Sequence, residues 1–461
     1  MPDIVNGCRS TRLLCCDRLS THYVRFITLH SVAQFCPQLY SRWETTSERY
    51  ETMKTLAAQQ YVGASPQLFP ISLHQTSMWG VIGACIYFAG CMLPLPGNLP
   101  LLGFVLCSTL AVATSSRVNS LGWPPLTLAV VAFLCIMAVT TVGSVDLGRS
   151  LRLSTPLLPG GLLFLVVATH SAGPRNIHRL YLAVSAVGLG LAARVLWGVL
   201  TEDAGLTLNA LVPQLGIPIL VVPNDLTVLA VIAPLSWVLL SREPRGLVSL
   251  VPALSILLSA VAVCVYLSRT AVLTMLITLL CAAMLSQRFH RRTLWTVGVS
   301  AVLLLGLLMW IDMPQVRGPS LLTKFLERGL GRIPYWTTAW TMFSDAPLLG
   351  QGPHTFGLFH KTPWTHNLYL EALAEQGLLG LLALGGLLAC GLVGGWRLRR
   401  ATTEDGRLLG AGALASLIGL CAAGVVELTL LREWVVTMLF MLLGVIGHLV
   451  STHSQQVSAR Q

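Results

Sequence analysis

The sequence predicts an all-α integral membrane protein of about twelve transmembrane helices, with one large helical loop between the ninth and tenth. Three observations carry that reading. The 461 residues are 54% hydrophobic and only 11% charged, with mean hydropathy +0.71, too little polar surface to cover a soluble globule. Apolar runs of about 18 to 22 residues recur along the chain, each long enough as a helix to cross a hydrocarbon core of roughly 30 Å. Strand alternation is absent, which disfavours an outer-membrane barrel.

Taken in order, residues 1–75 are polar, mixed in charge, and lack both a signal-peptide apolar core and a spanning run. A poorly ordered cytoplasmic tail is expected there. Met53 followed by Lys54 reads as an ordinary start, which would make the preceding residues an over-extended reading frame rather than a domain. Spans one to nine are expected within 76–311: Ser77–Leu95, Leu99–Thr114, Pro124–Ser144, Pro156–His170, Arg179–Leu200, Ile217–Leu240, Leu247–Leu267, Thr270–Leu285 and Thr293–Ile311. The loop fills 312–377. Three more spans, Leu378–Trp396, Leu408–Glu427 and Trp434–Val450, fall within 378–450, and 451–461 is a short cytoplasmic tail.

The net charge of +11 would point to nucleic acid in a soluble protein, but here the cations sit in short loops between spans, where they set topology. Arg117, Arg175, Arg179, Arg242, Arg245, Arg288, Arg291, Arg292, Arg397, Arg399, Arg400 and Arg407 all fall on one side of the count. That side is then cytoplasmic and the 312–377 loop faces outward, although it carries Arg317, Lys324, Arg328, Arg332 and Lys361. The twelve cysteines show no CxxC or zinc-finger spacing.

A loop of that length is commonly functional. Leu321, Leu322, Phe325, Leu326 and Leu330 repeat at helical spacing, as in a helix lying in the membrane interface. A second helix is expected from Trp336 to Phe343, and a third begins near Thr365 or Asn367, either of which can cap it, and ends at Gly377. The stretch Asp345–Leu382 gathers His354, His360, His366, Glu371, Glu375, Gly350 and Gly352.

An outward-facing set of arginines suits a phosphorylated substrate, because guanidinium binds phosphate oxygens in a bidentate, permanently charged way. Neighbouring cations also disfavour a second positive charge on an imidazole and keep it available as a base. Gly350 and Gly352 read as turn residues, with a weaker reading in which their N–H groups approach phosphate. Glu371 and Glu375 share a helix face, where they orient His366, bind substrate hydroxyls, or are simply solvated. Arg194 and Glu427 are charges in or near spans and so functional by default; Glu427 is ranked lower because Arg432 offers it a local partner.

The ordered segments Ser268-Arg269-Thr270, Arg332-Ile333-Pro334-Tyr335-Trp336, Pro347 to Pro353 with Phe356, and His366-Asn367 with Leu370, Glu371 and Gly377 resemble the O-antigen ligase and O-antigen polymerase family. Asn224-Asp225 with Ala230 loosely resembles a further segment of that family. The resemblance implies a multi-pass glycosyltransferase of the bacterial inner membrane that takes a glycan from undecaprenyl diphosphate at the periplasmic face. It implies no cofactor and no metal. The acceptor would be the lipid A core for a ligase, or another lipid-linked repeat for a polymerase. By motif, His366 is the candidate base and Arg269 and Arg332 the candidate diphosphate contacts. Arg194, Arg328, Trp336, Gly350, Gly352, His354, Asn367 and Glu371 are the further binding or orienting candidates, and nucleic acid is not a partner. Two alternatives stand beside the ligase: a protein O-oligosaccharyltransferase using the same donor, and a twelve-span secondary transporter. Against the transporter stand the dissimilar halves of the chain and the clustering of polar residues in one loop rather than at mid-membrane.

Overall fold

The computed structural model describes residues 73–92, 99–114, 123–170, 174–201, 223–242, 246–266, 268–286, 331–401, 403–430 and 432–458. Among them every regular element is helical. The helices are α1 Leu73–Met92, α2 Leu99–Thr114, α3 Pro124–Val142, α4 Leu147–Ser154, α5 Leu157–His170, α6 Pro174–Thr201 and α7 Thr227–Ser241. They continue with α8 Leu250–Val265, α9 Arg269–Leu285, α10 Ile333–Asp345, the single turn α11 Phe356–Phe359, α12 Leu368–Arg397, α13 Glu404–Val426 and α14 Glu433–Ser458.

Six stretches among the described residues are long and apolar enough to cross a membrane: Pro124–Val142, Leu147–Thr169, Pro174–Gly198, Leu368–Arg400, Glu404–Val426 and Glu433–Ser458. Shorter apolar helices occupy Trp79–Gly90, Thr227–Ser241, Leu250–Val265 and Thr270–Leu285. The chain is thus a helical, multi-pass membrane protein. The expected N-terminal tail up to Gln75 lies, apart from the first residues of α1, outside the described residues, as do the expected ninth span and the interfacial helix near Leu321.

Three boundaries depart from expectation. The fourth span is preceded by α4, which Asp146 starts by accepting the Arg149 amide at 3.0 Å and which stops just short of Pro156, where the chain turns into α5. The sixth helix begins only at Thr227, after a 3₁₀ turn at Pro223–Leu226. Helix α14 runs through Ser458, so the expected tail from Ser451 is mostly helical.

Helix α7 lies at the centre of the bundle: every side chain from Thr227 to Leu239 is buried, in contact with α6, α8, α9 and α13. A helix apolar all round its circumference must be surrounded by others. Helix α12 packs along α3 and α13, and α14 along α5. At one end of the bundle Arg242 pairs with Asp405, and the Arg397 guanidinium lies 4.9 Å above the Trp123 ring. At the other end meet the α3–α4 turn, the starts of α12 and α14, the end of α13, and α10.

Candidate active site

His366 stands two residues ahead of α12, next to its N-cap, and owes its position to the start of that helix. Asn367 caps α12, its side-chain oxygen accepting from the Tyr369 and Leu370 amides at 3.0 Å. Its amide nitrogen donates to the Val425 carbonyl at 2.8 Å. Thr365 closes the turn, accepting from the Asn367 amide at 3.1 Å and donating to the Asn367 carbonyl at 2.8 Å. Between them His366 adopts φ 57°. A non-glycine residue there costs about 1 to 2 kcal/mol, and such strain persists where surrounding structure over-determines it.

The imidazole is held by a residue 61 positions away. His366 Nδ1 lies 2.8 Å from Glu427 Oε1, and the other oxygen of that carboxylate, Oε2, accepts from Arg332 Nη2. Arg332 Nη1 donates to the Val426 carbonyl. The last carbonyls of α13 have no intrahelical partners, so Asn367 and Arg332 satisfy two of them and Arg332 also meets the negative end of the helix dipole. Glu427 is buried, its side chain 4% exposed, while Arg332 is 26% exposed. A carboxylate only accepts hydrogen bonds, so the proton in this contact lies on Nδ1, and Nε2 is the ring nitrogen that Glu427 leaves unengaged. This is the arrangement of an oriented general base.

Aromatic rings flank the imidazole. The Tyr335 ring centre lies 5.5 Å from that of His366, and Trp364 meets it edge-on at 6.2 Å. Tyr335 also contacts His360 at 4.7 Å, and His360 stacks on Phe356. His360 Nδ1 accepts from the Thr362 amide at 3.2 Å, so its role is to hold the 360–364 turn. The Arg432 guanidinium covers the Trp364 ring at 4.6 Å and pairs with Asp225. Asp225 in turn accepts from Trp434 Nε1 at 3.3 Å.

The expected Glu427–Arg432 pair is therefore not formed. Arg432 is the partner of Asp225, and Glu427 belongs to His366 and Arg332. Glu371 neither orients His366 nor lies on a solvated face: it is buried, and its Oε1 accepts from the Thr429 hydroxyl and, at 3.3 Å, from the Leu430 amide. It thereby fixes the segment between Glu427 and Arg432. Glu375, also buried, accepts from the His354 amide at 2.7 Å and the Phe356 amide at 3.0 Å.

The two glycines are not a phosphate cradle, because their N–H groups are spent inside the protein. Gly350 donates to Ala346 at 2.9 Å and Gly352 to Glu375 at 2.7 Å. Gly377 ends the third helix as expected: at φ 68° it is non-helical, and the chain kinks there before the span from Leu378 begins. The kink frees carbonyls before it and amides after it. Gln351 and Gly352 bond the Ala374 and Glu375 carbonyls, and the Leu378 and Leu379 amides bond Pro347 and Leu348. Gly350, also at φ 68°, lies so close that a Cβ would collide with the Glu375–Gln376 peptide.

His354 backs onto α4 instead of the surface. Arg149 Nε donates to its carbonyl at 2.8 Å, and Ser150 donates to Pro353 at 2.6 Å. Burial, reinforced by the Arg149 cation, pushes its imidazole down to about 4. Its Nε2 is buried with no hydrogen-bond partner among the described residues. Trp336 lies on α10 with its indole nitrogen likewise buried and unpartnered among them. Arg194 is on the exposed face of α6. Arg269 opens α9, behind Ser268 as N-cap, but its side chain, like all of Arg328, lies outside the described residues.

The structure thus brings His366 and Arg332 together and adds Glu427 and Arg432. From the sequence, Glu427 was legible as a charge near a span, ranked below Arg194 because Arg432 offered it a local partner. Fold and site together define a multi-pass helical membrane protein with an imidazole–carboxylate pair and arginines at one end of its bundle. Residues 254–385 match the family model described as O-Antigen ligase, which supports the resemblance to the O-antigen ligase family over that segment. No curated protein matches the chain. The matched segment contains Arg269, Arg332 and His366, whereas Glu427 and Arg432 lie beyond it.

Proposed function

We propose that the protein is a glycosyltransferase that moves a glycan from undecaprenyl diphosphate to the lipid A core at the periplasmic face of the bacterial inner membrane, completing lipopolysaccharide. The observation that carries the mechanism is the 2.8 Å contact between His366 Nδ1 and a Glu427 carboxylate that also holds Arg332. In this reading Nε2 takes the proton of the acceptor hydroxyl as its oxygen bonds to the anomeric carbon. The bond from that carbon to the donor diphosphate breaks, and the diphosphate leaves on its lipid, stabilised by guanidinium groups. The chemistry asks for no redox step and no cofactor, and transfer is expected without added metal. The outward direction draws its support from charge: Arg175, Arg179, Arg242, Arg397, Arg399, Arg400 and Arg407 belong to the end of the bundle opposite His366, the pattern of a cytoplasmic face.

Purified protein should join an undecaprenyl-diphosphate-linked glycan to lipid A core. His366→Ala should abolish transfer while the protein still elutes as a folded species; transfer at the wild-type rate by that variant removes the base assignment. The lipopolysaccharide ladder of a deletion strain separates the two family activities. Loss of a ligase leaves polymerised glycan on the lipid carrier, and loss of a polymerase leaves single repeats on the core.

A further inference from the structure

Arg332, the arginine nearest the imidazole in sequence motif, is heavily committed. One terminal nitrogen is bonded to Val426 and the other to Glu427, so its charge is balanced by the carboxylate that orients His366. A departing diphosphate needs cationic donors besides that one. Arg432 meets the requirement by a different construction. Its guanidinium carbon lies over the Trp364 ring, 4.6 Å from the ring centre, and Trp364 meets His366 edge-on, which leaves the cation a single ring away from the imidazole. Its ion pair with Asp225 engages one terminal nitrogen, whereas a guanidinium carries five N–H donors.

The surroundings fix this cation in advance. Asp225 is 4% exposed and anchored by Trp434, and Arg432 itself is 16% exposed. The backbone leading to it is held by Glu371 through Thr429 and Leu430. Stacking on an aromatic face and pairing below with a buried carboxylate remove the rotamer freedom that an arginine would otherwise lose on binding. A guanidinium ordered in advance lowers the entropy cost of holding the donor's phosphate in the ground state as well as later.

We propose that Arg432 is a donor-binding residue that takes a phosphoryl group of the lipid diphosphate beside the His366–Glu427 pair. The inference rests on the transferase reading given above. Asp225 and Trp364 are its positioning residues, and Arg332 serves the base more than the phosphate.

The test uses full-length protein in detergent, with inorganic pyrophosphate as probe and the transfer reaction as second readout. Arg432→Gln should weaken pyrophosphate binding at least tenfold and raise the donor KM by a similar factor, with the acceptor KM unchanged. Arg432→Lys should recover part of the loss. Trp364→Leu, which removes the stacking surface but not the charge, should have a smaller effect of the same kind. An Arg432→Gln protein that binds pyrophosphate within twofold of wild type overturns the proposal, as does a folded variant whose kcat falls with the donor KM unchanged. Wild-type protein that binds pyrophosphate through Arg432 but transfers no glycan would sink the reaction and leave the contact standing. Wild-type transfer with an indifferent Arg432 would do the reverse.

Discussion

Glu427→Gln is the sharpest perturbation of the site, because the carboxylate serves two donors at once. Oε1 faces His366 Nδ1 and Oε2 faces Arg332 Nη2. Glutamine keeps the shape but has one acceptor oxygen and one NH₂ donor. If the oxygen faces Arg332, the NH₂ faces Nδ1, which must then accept, and the proton moves to Nε2, where the base should be. If the oxygen faces His366, the NH₂ opposes the guanidinium, donor against donor. Losing one charge-assisted hydrogen bond of this kind costs about 1.5 to 3 kcal/mol, roughly a tenfold to a hundredfold loss in rate. The wrong tautomer raises that toward the ~10⁴-fold known for an analogous carboxylate-to-amide change in a catalytic triad. The measurement is kcat for transfer by purified protein at saturating donor and acceptor, beside the elution profile as a control for folding. A Glu427→Gln enzyme within threefold of wild type would show that the carboxylate does not orient the base.

Two further outcomes follow from the loop. Gly350→Ala places a side chain at φ 68° against the Glu375–Gln376 peptide, and strain plus overpacking should cost at least about 2 kcal/mol, read as a lower detergent-resistant melting temperature. Stability should also fall in acid as His354 is asked to charge. Its imidazole is pushed down from 6.5 to about 4, so below 6.5 the unfolded chain binds a proton the folded one refuses, and stability is lost as pH falls from 6.5 to about 4. The ceiling for that loss is about 3 kcal/mol. His354→Gln should flatten this part of the pH–stability curve, and an unchanged slope would refute the assignment.

Much of the site was legible because its parts are local in sequence. The cap at Asn367, the helix after Arg332 and the glycine turns declare themselves over a few residues. What escaped was set by distances along the chain that no local pattern spans. Arg432 stands five residues after Glu427, and a reading by neighbours pairs them. The bundle instead sends Arg432 to Asp225, 207 positions away, and gives Glu427 to Arg332, 95 positions away. Glu371 and Glu375 misled for the same reason: their shared helix face was correct, but what covers it, the 427–430 segment for one and the 352–356 turn for the other, is a tertiary fact. Helix α4 was missed because its eight residues carry both arginine and leucine and follow a span directly.

The stitching at Gly377 bears on how this protein can be re-engineered. Because the amides that begin the membrane-spanning half of α12 bond to Pro347 and Leu348, the turn and the helix share one set of hydrogen bonds and neither is complete alone. A chimera that exchanges the loop before α12 between relatives at the apparent start of the span, Leu378, would cut through that set and leave backbone polar groups without their partners. The natural module for transplantation runs from the end of α10 to Leu379, so that both sides of every one of these hydrogen bonds move together.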